Sequence, residues 1–278
     1  MSPVLQCGAK RLDLSRAVVM GVLNITPDSF SDGGRFFSAE AACEQARRMI
    51  AEGAAIIDIG GESTRPGATP VPVEEELRRV IPVIERLAGT SAVISIDTQK
   101  PEVMRAATAA GAGLINDVRA LQAPGALAAV LASDCAVCLM HMQGEPRTMQ
   151  QAPRYLDVVN EVKAFLFERA QACCAAGLAL ERIVIDPGFG FGKTQAHNLE
   201  LLRRLEELTR GDWPVLVGLS RKAMLGSILG RRKADRLSGS IACAVMAVLQ
   251  GARIIRAHDV EATVDALRTV AAVGLERA

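Results

Sequence analysis

Three side chains that could hold a polar heterocycle each stand at or near the end of a short apolar run. Asp97 closes AVISID, Asn116 lies in GLINDV and Asp186 follows RIVI. Carboxylate and amide oxygens accept hydrogen bonds, and the amide nitrogen also donates them. A set of this kind can pair with an uncharged ring that presents several N–H donors.

Basic side chains follow other apolar runs and indicate an anion. Arg65, Lys222 and Arg256 are joined by His258, and residues 220–222 open a predicted helix whose N-terminal N–H groups attract negative charge. The chain carries 32 basic and 31 acidic residues, a net charge of +1. Because no overall field draws it toward nucleic acid or an anionic membrane, a diphosphate or carboxylate would be bound locally by these groups.

The elements that would position these groups are eight short apolar runs rich in Val and Ile. They are VVMGVL (18–23), AAIIDIG (54–60), AVISID (92–97), GLINDV (113–118), AVCLMHM (136–142), RIVIDPG (182–188), PVLVGLS (214–220) and ARIIRAH (252–258). Stretches of helical period, such as VEEELRRVIPVIERLA, separate most of them, which predicts a parallel sheet covered by helices. Eight such units in 278 residues favour a (β/α)8 TIM barrel over an open sheet.

In such a barrel the carboxyl ends of all strands meet at one face, where active sites lie. Polar residues stand at the predicted ends, namely Asn24, Glu62, Ser63, Thr64, Arg65, Asp97, Asn116, Asp117, His141, Asp186, Ser220, Arg221, Lys222, Arg256 and His258. We therefore expect them to converge on one site. No linker divides residues 1–278, which predicts a single domain, with 1–15 as a small hairpin or plug at the barrel floor and 230–238 as a solvated loop.

The segment DPGFGFGKT (186–194) matches neither common nucleotide motif. A phosphate loop would need glycine where Pro187 stands, and a dinucleotide fingerprint would need glycine in place of Lys193. The glycines are better suited to a close approach of backbone to a flat ligand, with Phe189 and Phe191 beside it.

Other catalytic and metal patterns are weak. Cys135 and Cys138 lie at or in a predicted strand, where their spacing turns them to opposite faces. The three histidines lack the spacing of a helical metal site, and no serine stands in a G-x-S-x-G elbow. Seven cysteines without a disulfide framework are typical of a reducing compartment. The start MSPVLQCGAKRLDL does not have the pattern of a signal peptide, and no apolar stretch is long enough for a membrane span. The sequence therefore predicts a cytoplasmic protein.

Eight motifs in order resemble the dihydropteroate synthase family. They are GVLNITPDSFSDGG, DIGGESTRPGA, SIDTQKPEV, INDVRA, LMHMQGEPRTMQ, DPGFGFGKT, GLSRKAMLG and RAHDV. The resemblance implies that the chain joins para-aminobenzoate to a hydroxymethyl-dihydropterin diphosphate, releases pyrophosphate and forms dihydropteroate for folate synthesis. It also implies small-molecule substrates, Mg2+ and a homodimer formed by helices of the later half of the barrel, with no nucleic acid or membrane partner.

The same resemblance implies roles for individual residues. Asp97, Lys222 and Arg256 would be catalytic. The pterin would be held by Asp97, Asn116, Asp186, Lys222, Met140, Phe191 and Arg256. The diphosphate would be held by Thr64, Asn24, Arg256 and His258, and aminobenzoate by Phe30, Arg65, Pro66 and Ala223. Asn24 would also be a magnesium ligand, and residues 24–37 would form a lid. Ala223 departs from the family, which often has serine there.

The implied chemistry agrees with the residue types. Magnesium and cations would assist the departure of diphosphate, and Asp97 would stabilise the positive charge that the ring disperses. Two alternatives remain open: a pterin-binding methyltransferase barrel and a paralogue that binds pterin without turnover. A pyrophosphate-release assay separates the three.

Overall fold

The computed structural model describes residues 4–25, 35–63, 69–145 and 148–275. The strands of this part of the chain are β1 (Val4–Cys7), β2 (Lys10–Asp13), β3 (Val18–Asn24), β4 (Ile56–Gly60), β5 (Val93–Asp97), β6 (Leu114–Asp117), β7 (Ala136–Met140), β8 (Ile183–Asp186), β9 (Leu216–Val217) and β10 (Ile254–Ala257). Its helices are α1 (Arg35–Ala51), α2 (Val73–Leu87), α3 (Pro101–Ala109), α4 (Ala126–Leu131), α5 (Val158–Ala175), α6 (Gln195–Arg203), α7 (Glu206–Thr209), α8 (Ala223–Leu229), α9 (Leu237–Leu249) and α10 (Val260–Val273).

The strands β3 to β10 form one parallel sheet in the order β8-β7-β6-β5-β4-β3-β10-β9. The Ile185 N–H donates to the Pro214 carbonyl at 3.0 Å, and Ile185 bridges Val215, so the two outer strands also meet. Each of the eight predicted apolar runs coincides with one of these strands, and only β3 extends beyond its run, by one residue, to Asn24. The prediction of a TIM barrel is therefore confirmed.

The alternation of side chains along the strands separates an outer core from an inner one. Ile57, Ile94 and Ile115 belong to the large core that the helices cover, whereas Met20 and Ile56 belong to a smaller cluster inside the barrel. Both faces of a strand are thus buried, which explains the unbroken apolar runs in the sequence. Farther along the strands the buried residues between these apolar positions become polar.

A hairpin closes the amino-terminal end of the barrel. Strands β1 and β2 pair antiparallel, and Leu5 and Cys7 pack with the inner cluster. A Cβ on Gly113 would lie 2.7 Å from the Cys7 carbonyl oxygen, and Lys10 Nζ donates to the Ala92 carbonyl at 2.6 Å. The predicted hairpin and plug are both present.

Two details differ from the sequence prediction. Strand β9 has only two residues, and the solvated loop predicted for 230–238 ends at Arg236, because α9 already begins at Leu237. Within the described segments, no helix combines the length and the apolar character needed to cross a bilayer.

Candidate active site

The carboxyl ends of the barrel strands carry three buried acceptors. Asp97 ends β5, Asn116 lies in β6 and Asp186 ends β8, and their exposed fractions are 8%, 5% and 6%. Asp97 and Asn116 are direct partners in the β5–β6 ladder. The structure thus brings together the groups that the sequence predicts for a heterocycle.

Asp58, a residue that the sequence reasoning missed, lies fully buried beneath these acceptors. It accepts hydrogen bonds from Arg256 Nε at 2.6 Å, Asn116 Nδ2 at 3.0 Å and Ser95 Oγ at 2.6 Å. Since the Asn116 amide gives its nitrogen to Asp58, its oxygen is left for another partner. The signal for Asp58 was a charged residue inside the apolar run AAIIDIG.

Arg256 links Asp58 to Asp97. Its Nη2 donates to Asp97 Oδ2 at 2.9 Å. Burial opposes the charge of the guanidinium, but Asp58 and Asp97 together raise the pKa of Arg256. Burial raises the pKa of Asp97 to about 7, although the charge of Arg256 works in the opposite direction.

Among the described residues, three buried side-chain oxygens have no hydrogen-bond partner, and two of them, Asp97 Oδ1 and Asn116 Oδ1, belong to this site. Leaving a buried acceptor unpaired costs about 1–3 kcal/mol, so such atoms call for an explanation. The third acceptor is partly paired, because Asp186 Oδ1 receives the Gly188 N–H at 2.7 Å. Burial also raises the pKa of Asp186.

Lys222 reaches the same region from the residue before α8. Its Nζ lies 4.5 Å from the centre of the Phe191 ring, and a Cβ on Gly190 would stand 3.3 Å from its Cδ. Burial and the charge of Arg256 lower the pKa of Lys222 to about 8. Lys222 is therefore a cation at neutral pH that loses its charge at mildly alkaline pH.

His258 is a neutral donor or acceptor rather than a cation. Its Nδ1 lies 3.1 Å from Ser220 Oγ, which also accepts the His258 backbone N–H at 3.1 Å. Burial, together with the charges of Arg256 and Arg221, lowers the pKa of His258 to about 3. His258 therefore adds no positive charge to the cations beside it at neutral pH in the ligand-free protein.

Several other polar residues at strand ends serve the fold. Arg221 pairs with Asp259, and Asp117 accepts the backbone N–H groups of Arg119 and Leu121, each at 2.8 Å. His141 is buried beside Lys193, with 2.9 Å between His141 Nδ1 and Lys193 Nζ. These side chains are satisfied within the protein.

The remaining predicted residues divide into three groups. Met140 is buried at the end of β7 opposite Asp186, Asn24 ends β3 opposite Gly60, and Ala223 is exposed at the start of α8. The position predicted for Phe189 was wrong, because it is 1% exposed and packs in the outer core, whereas Phe191 lies beside Lys222. The residues outside the described segments are Phe30, Thr64, Arg65 and Pro66, as is most of the predicted lid.

Comparisons with known proteins show the family to which the chain belongs. The family model described as pterin binding enzyme matches residues 20–258. Dihydropteroate synthase of Escherichia coli (strain K12) is 56% identical over 262 residues, which are 94% of this chain and 93% of that protein.

Two solved structures have nearly the same fold over almost the whole chain. Xanthomonas albilineans dihydropteroate synthase with 4-aminobenzoic acid is 55% identical, with a TM-score of 0.93 and coverage of 99% of both chains. Burkholderia cenocepacia dihydropteroate synthase complexed with 7,8-dihydropteroate is 51% identical, with a TM-score of 0.90 and coverage of 98% of this chain and 96% of that chain. The chain belongs to the pterin binding enzyme family and, within it, to the dihydropteroate synthases.

Proposed function

We propose that the chain condenses 6-hydroxymethyl-7,8-dihydropterin diphosphate with para-aminobenzoate to give 7,8-dihydropteroate and pyrophosphate. The observation that carries this proposal is the pair of buried, unpaired acceptors, Asp97 Oδ1 and Asn116 Oδ1. Two cations, Lys222 and Arg256, interact electrostatically with both Asp97 and Asp186, which assigns these groups to one site. A ring with several N–H donors would satisfy the oxygens, and an attached diphosphate would meet the positive charge.

The acceptors would select the pterin because their oxygens lack hydrogen-bond donors within the protein. Asp58 holds the Asn116 amide by its nitrogen, so the site presents oxygens to the ligand. A ring without matching N–H groups would leave those oxygens buried and unpaired, which is a strong basis for rejection. Lys222 would supply a donor for the acceptors of the ring, since it is charged at neutral pH.

The reaction breaks the bond between the pterin methylene carbon and the diphosphate oxygen and forms a bond from that carbon to the aminobenzoate nitrogen. Arg256 would stabilise the departing negative charge, and neutral His258 would donate a hydrogen bond to it. The Asp97 carboxylate would stabilise positive charge on the ring. The aromatic amine is already neutral at pH 7 and loses its proton after attack, so a dedicated base is not required.

Magnesium is the proposed cofactor, and the donor at Asn24 fits it. Within the described segments no three His, Cys, Asp or Glu side chains cluster as a metal cage. Mg2+ commonly keeps several waters and takes one or two protein oxygens together with substrate phosphates. Asn24 offers an amide oxygen opposite Gly60, where a Cβ would stand 3.5 Å from it. When bound, the metal would neutralise charge on the diphosphate.

Pyrophosphate release measured with both substrates tests the activity. We expect release to require the pterin diphosphate, aminobenzoate and Mg2+ together. Binding of pterin without release would support a non-catalytic paralogue, and methyl transfer from a methylated pterin would support the methyltransferase alternative. Either result would contradict the proposal.

We also propose a homodimer formed by the later half of the barrel. Apolar side chains are exposed there, including Ile228 on α8 and Leu237 and Met246 on α9, with exposed fractions of 49%, 43% and 43%. Light scattering should give about twice the chain mass of 29.5 kDa. The proposed location is the cytoplasm, which the seven free cysteines support.

A further inference from the structure

The turn that follows β8 holds one buried cation that the proposed reaction does not use. Lys193 is 3% exposed, and its Nζ lies 3.0 Å from the Gly188 carbonyl oxygen, 3.0 Å from the Phe191 carbonyl oxygen and 2.9 Å from His141 Nδ1. An ammonium group has three N–H donors, and these three acceptors match them. The donors of this amine are thus used within the protein.

The backbone of this turn explains why the carbonyls converge. Gly188, Gly190 and Gly192 have φ values of 67°, 79° and 59°, in the left-handed region that favours glycine. A Cβ on Gly188 would lie 1.9 Å from the His141 carbonyl oxygen. The turn is therefore pressed against the segment after β7, and Lys193 lies between the two.

The opposite side of the same turn meets the pterin site. Phe191 lies beneath Lys222 Nζ, Gly190 lies against the Lys222 stem, and Asp186 receives the Gly188 N–H. A shift of the turn would therefore move the ring under Lys222 and the orientation of the Asp186 carboxylate. Burial lowers the pKa of Lys193 to about 7, and the charge of Asp186 opposes that effect.

We propose that Lys193 is a positioning residue for pterin binding: by joining the Gly188 and Phe191 carbonyls to His141, it fixes the turn that places Phe191, Lys222 and Asp186 around the ring. The inference rests on the proposed function, because it assigns the pterin to this site. Aminobenzoate, whose proposed contacts lie elsewhere, depends on the turn only through the bound pterin.

Lys193→Met tests the inference because it keeps an apolar stem and removes the three donors. Calorimetry with 6-hydroxymethyl-7,8-dihydropterin diphosphate should show affinity lower by about ten- to a hundredfold. The Michaelis constant for aminobenzoate, measured at saturating pterin diphosphate, should change by less than about twofold. Lys163→Met is the matched control, since Lys163 lies 5.5 Å over the Phe167 ring on the outer helix α5 and should leave both values unchanged.

Tyr155→Phe tests the same turn without removing a charge. The Tyr155 hydroxyl donates to the Gly192 carbonyl at 2.9 Å, so its loss should weaken pterin binding by about two- to tenfold, again without effect on aminobenzoate. If Lys193→Met does not fold, this variant decides the question.

Three results are distinguishable. Wild-type affinity for pterin in folded Lys193→Met, or in Tyr155→Phe when the first variant does not fold, overturns the positioning role. An equally large rise in the aminobenzoate Michaelis constant at saturating pterin diphosphate overturns it as well, because it indicates general damage. A wild-type protein that binds no pterin contradicts the proposed function instead.

Discussion

At the scale of single residues, Asp58 determines what its neighbours present to the ligand. Its carboxylate takes donors from Arg256, Asn116 and Ser95, so the free oxygen of Asn116 remains available. Unpaired buried oxygens are unfavourable in the ligand-free protein. That cost supports a site prepared for binding rather than a packed core.

The first prediction concerns the two carboxylates. Asp97→Asn and Asp186→Asn should each remove most of the turnover and weaken pterin binding by about ten- to a hundredfold, because a charged acceptor is worth about 1.5–3 kcal/mol. Circular dichroism should report an intact fold. Asp134→Asn, which changes an exposed acid, is the control. Undiminished pterin affinity in both variants would place the pocket elsewhere.

The second prediction concerns pH. The Asp97 carboxylate forms as pH rises through its pKa of about 7, which strengthens pterin binding. Lys222 loses its charge as pH rises through its pKa of about 8, and this loss weakens pterin binding. Pterin affinity should therefore have a maximum between these values. The pKa of Lys193 is also about 7, so the wild-type profile alone does not assign the change near pH 7 to Asp97. The decisive measurement is calorimetry on Asp97→Asn, in which the fall in pterin affinity on the acid side, the acid limb, should be lost and the fall on the alkaline side should remain. An acid limb that persists would contradict the role of Asp97.

At the scale of elements, a buried ionic cluster centred on Lys100, the residue before α3, joins α2 to the segment between β4 and α2. Lys100 Nζ contacts the carboxylates of Glu62 and Glu76, and it donates to the Val71 carbonyl at 2.7 Å. Glu62 also accepts the Val71 N–H at 3.0 Å. Burial lowers the pKa of Lys100, but its bonds to the two carboxylates outweigh burial and raise it.

The third prediction is that Lys100→Met lowers the free energy of unfolding by about 3–5 kcal/mol, because Glu76 is left as a buried charge. A raised lysine pKa gives stabilisation that is present below 10.5 and lost only at higher pH, so the effect should be constant near neutrality. Urea denaturation measures it. Lys163→Met should change the value by less than about 0.5 kcal/mol. A loss equally small for Lys100→Met would mean that the cluster contributes little.

The fourth prediction concerns the first residue of α8. Ala223 is exposed there, and its backbone N–H lies at a helix start that favours an anion. Ala223→Ser adds one hydroxyl donor toward the carboxylate of aminobenzoate. Its Michaelis constant should fall by about two- to tenfold, with the pterin constant nearly unchanged. Sulfonamide analogues should tighten in parallel. A change confined to the pterin constant would show that residue 223 does not face the carboxylate.

The sequence predicts elements better than it predicts contacts. The eight strands can be predicted because a strand that is buried on both faces needs an unbroken run of apolar residues, which is visible in the sequence. The bonding of Asp58 and Lys193 depends on ladder register and on glycine conformation, which no local pattern contains. Phe189 shows the same limit, since a displacement of two residues along the turn separates its core position from the site position of Phe191.

At the scale of the whole molecule, the two ends of the barrel have different tasks. The hairpin of β1 and β2 closes the amino-terminal end with apolar side chains. The polar layer begins near Asp58 and Ser95 and continues to Asp97 and Asp186. The apolar plug thus lies at one end and the proposed binding groups at the other, as is usual for this architecture.

The depth of the polar layer leads to the last prediction, on the order of binding. The pterin acceptors are almost fully buried, whereas Ala223 is exposed at the rim, so aminobenzoate would lie above the pterin and would cover it if it bound first. Its other predicted contacts, Phe30, Arg65 and Pro66, lie outside the described residues. Because aminobenzoate would complete its pocket on the bound pterin, it should bind measurably only when a pterin, pyrophosphate and Mg2+ are supplied.

Equilibrium dialysis with labelled aminobenzoate measures this order directly. Retention should be negligible with the bare enzyme and should appear only after the pterin, pyrophosphate and Mg2+ are added. Asp186→Asn supplies the control, since an enzyme that holds pterin poorly should also retain little aminobenzoate under the same conditions. Tight retention by the bare enzyme would mean that the aminobenzoate pocket exists independently of the pterin, and the stacked arrangement of the two substrates would then be wrong.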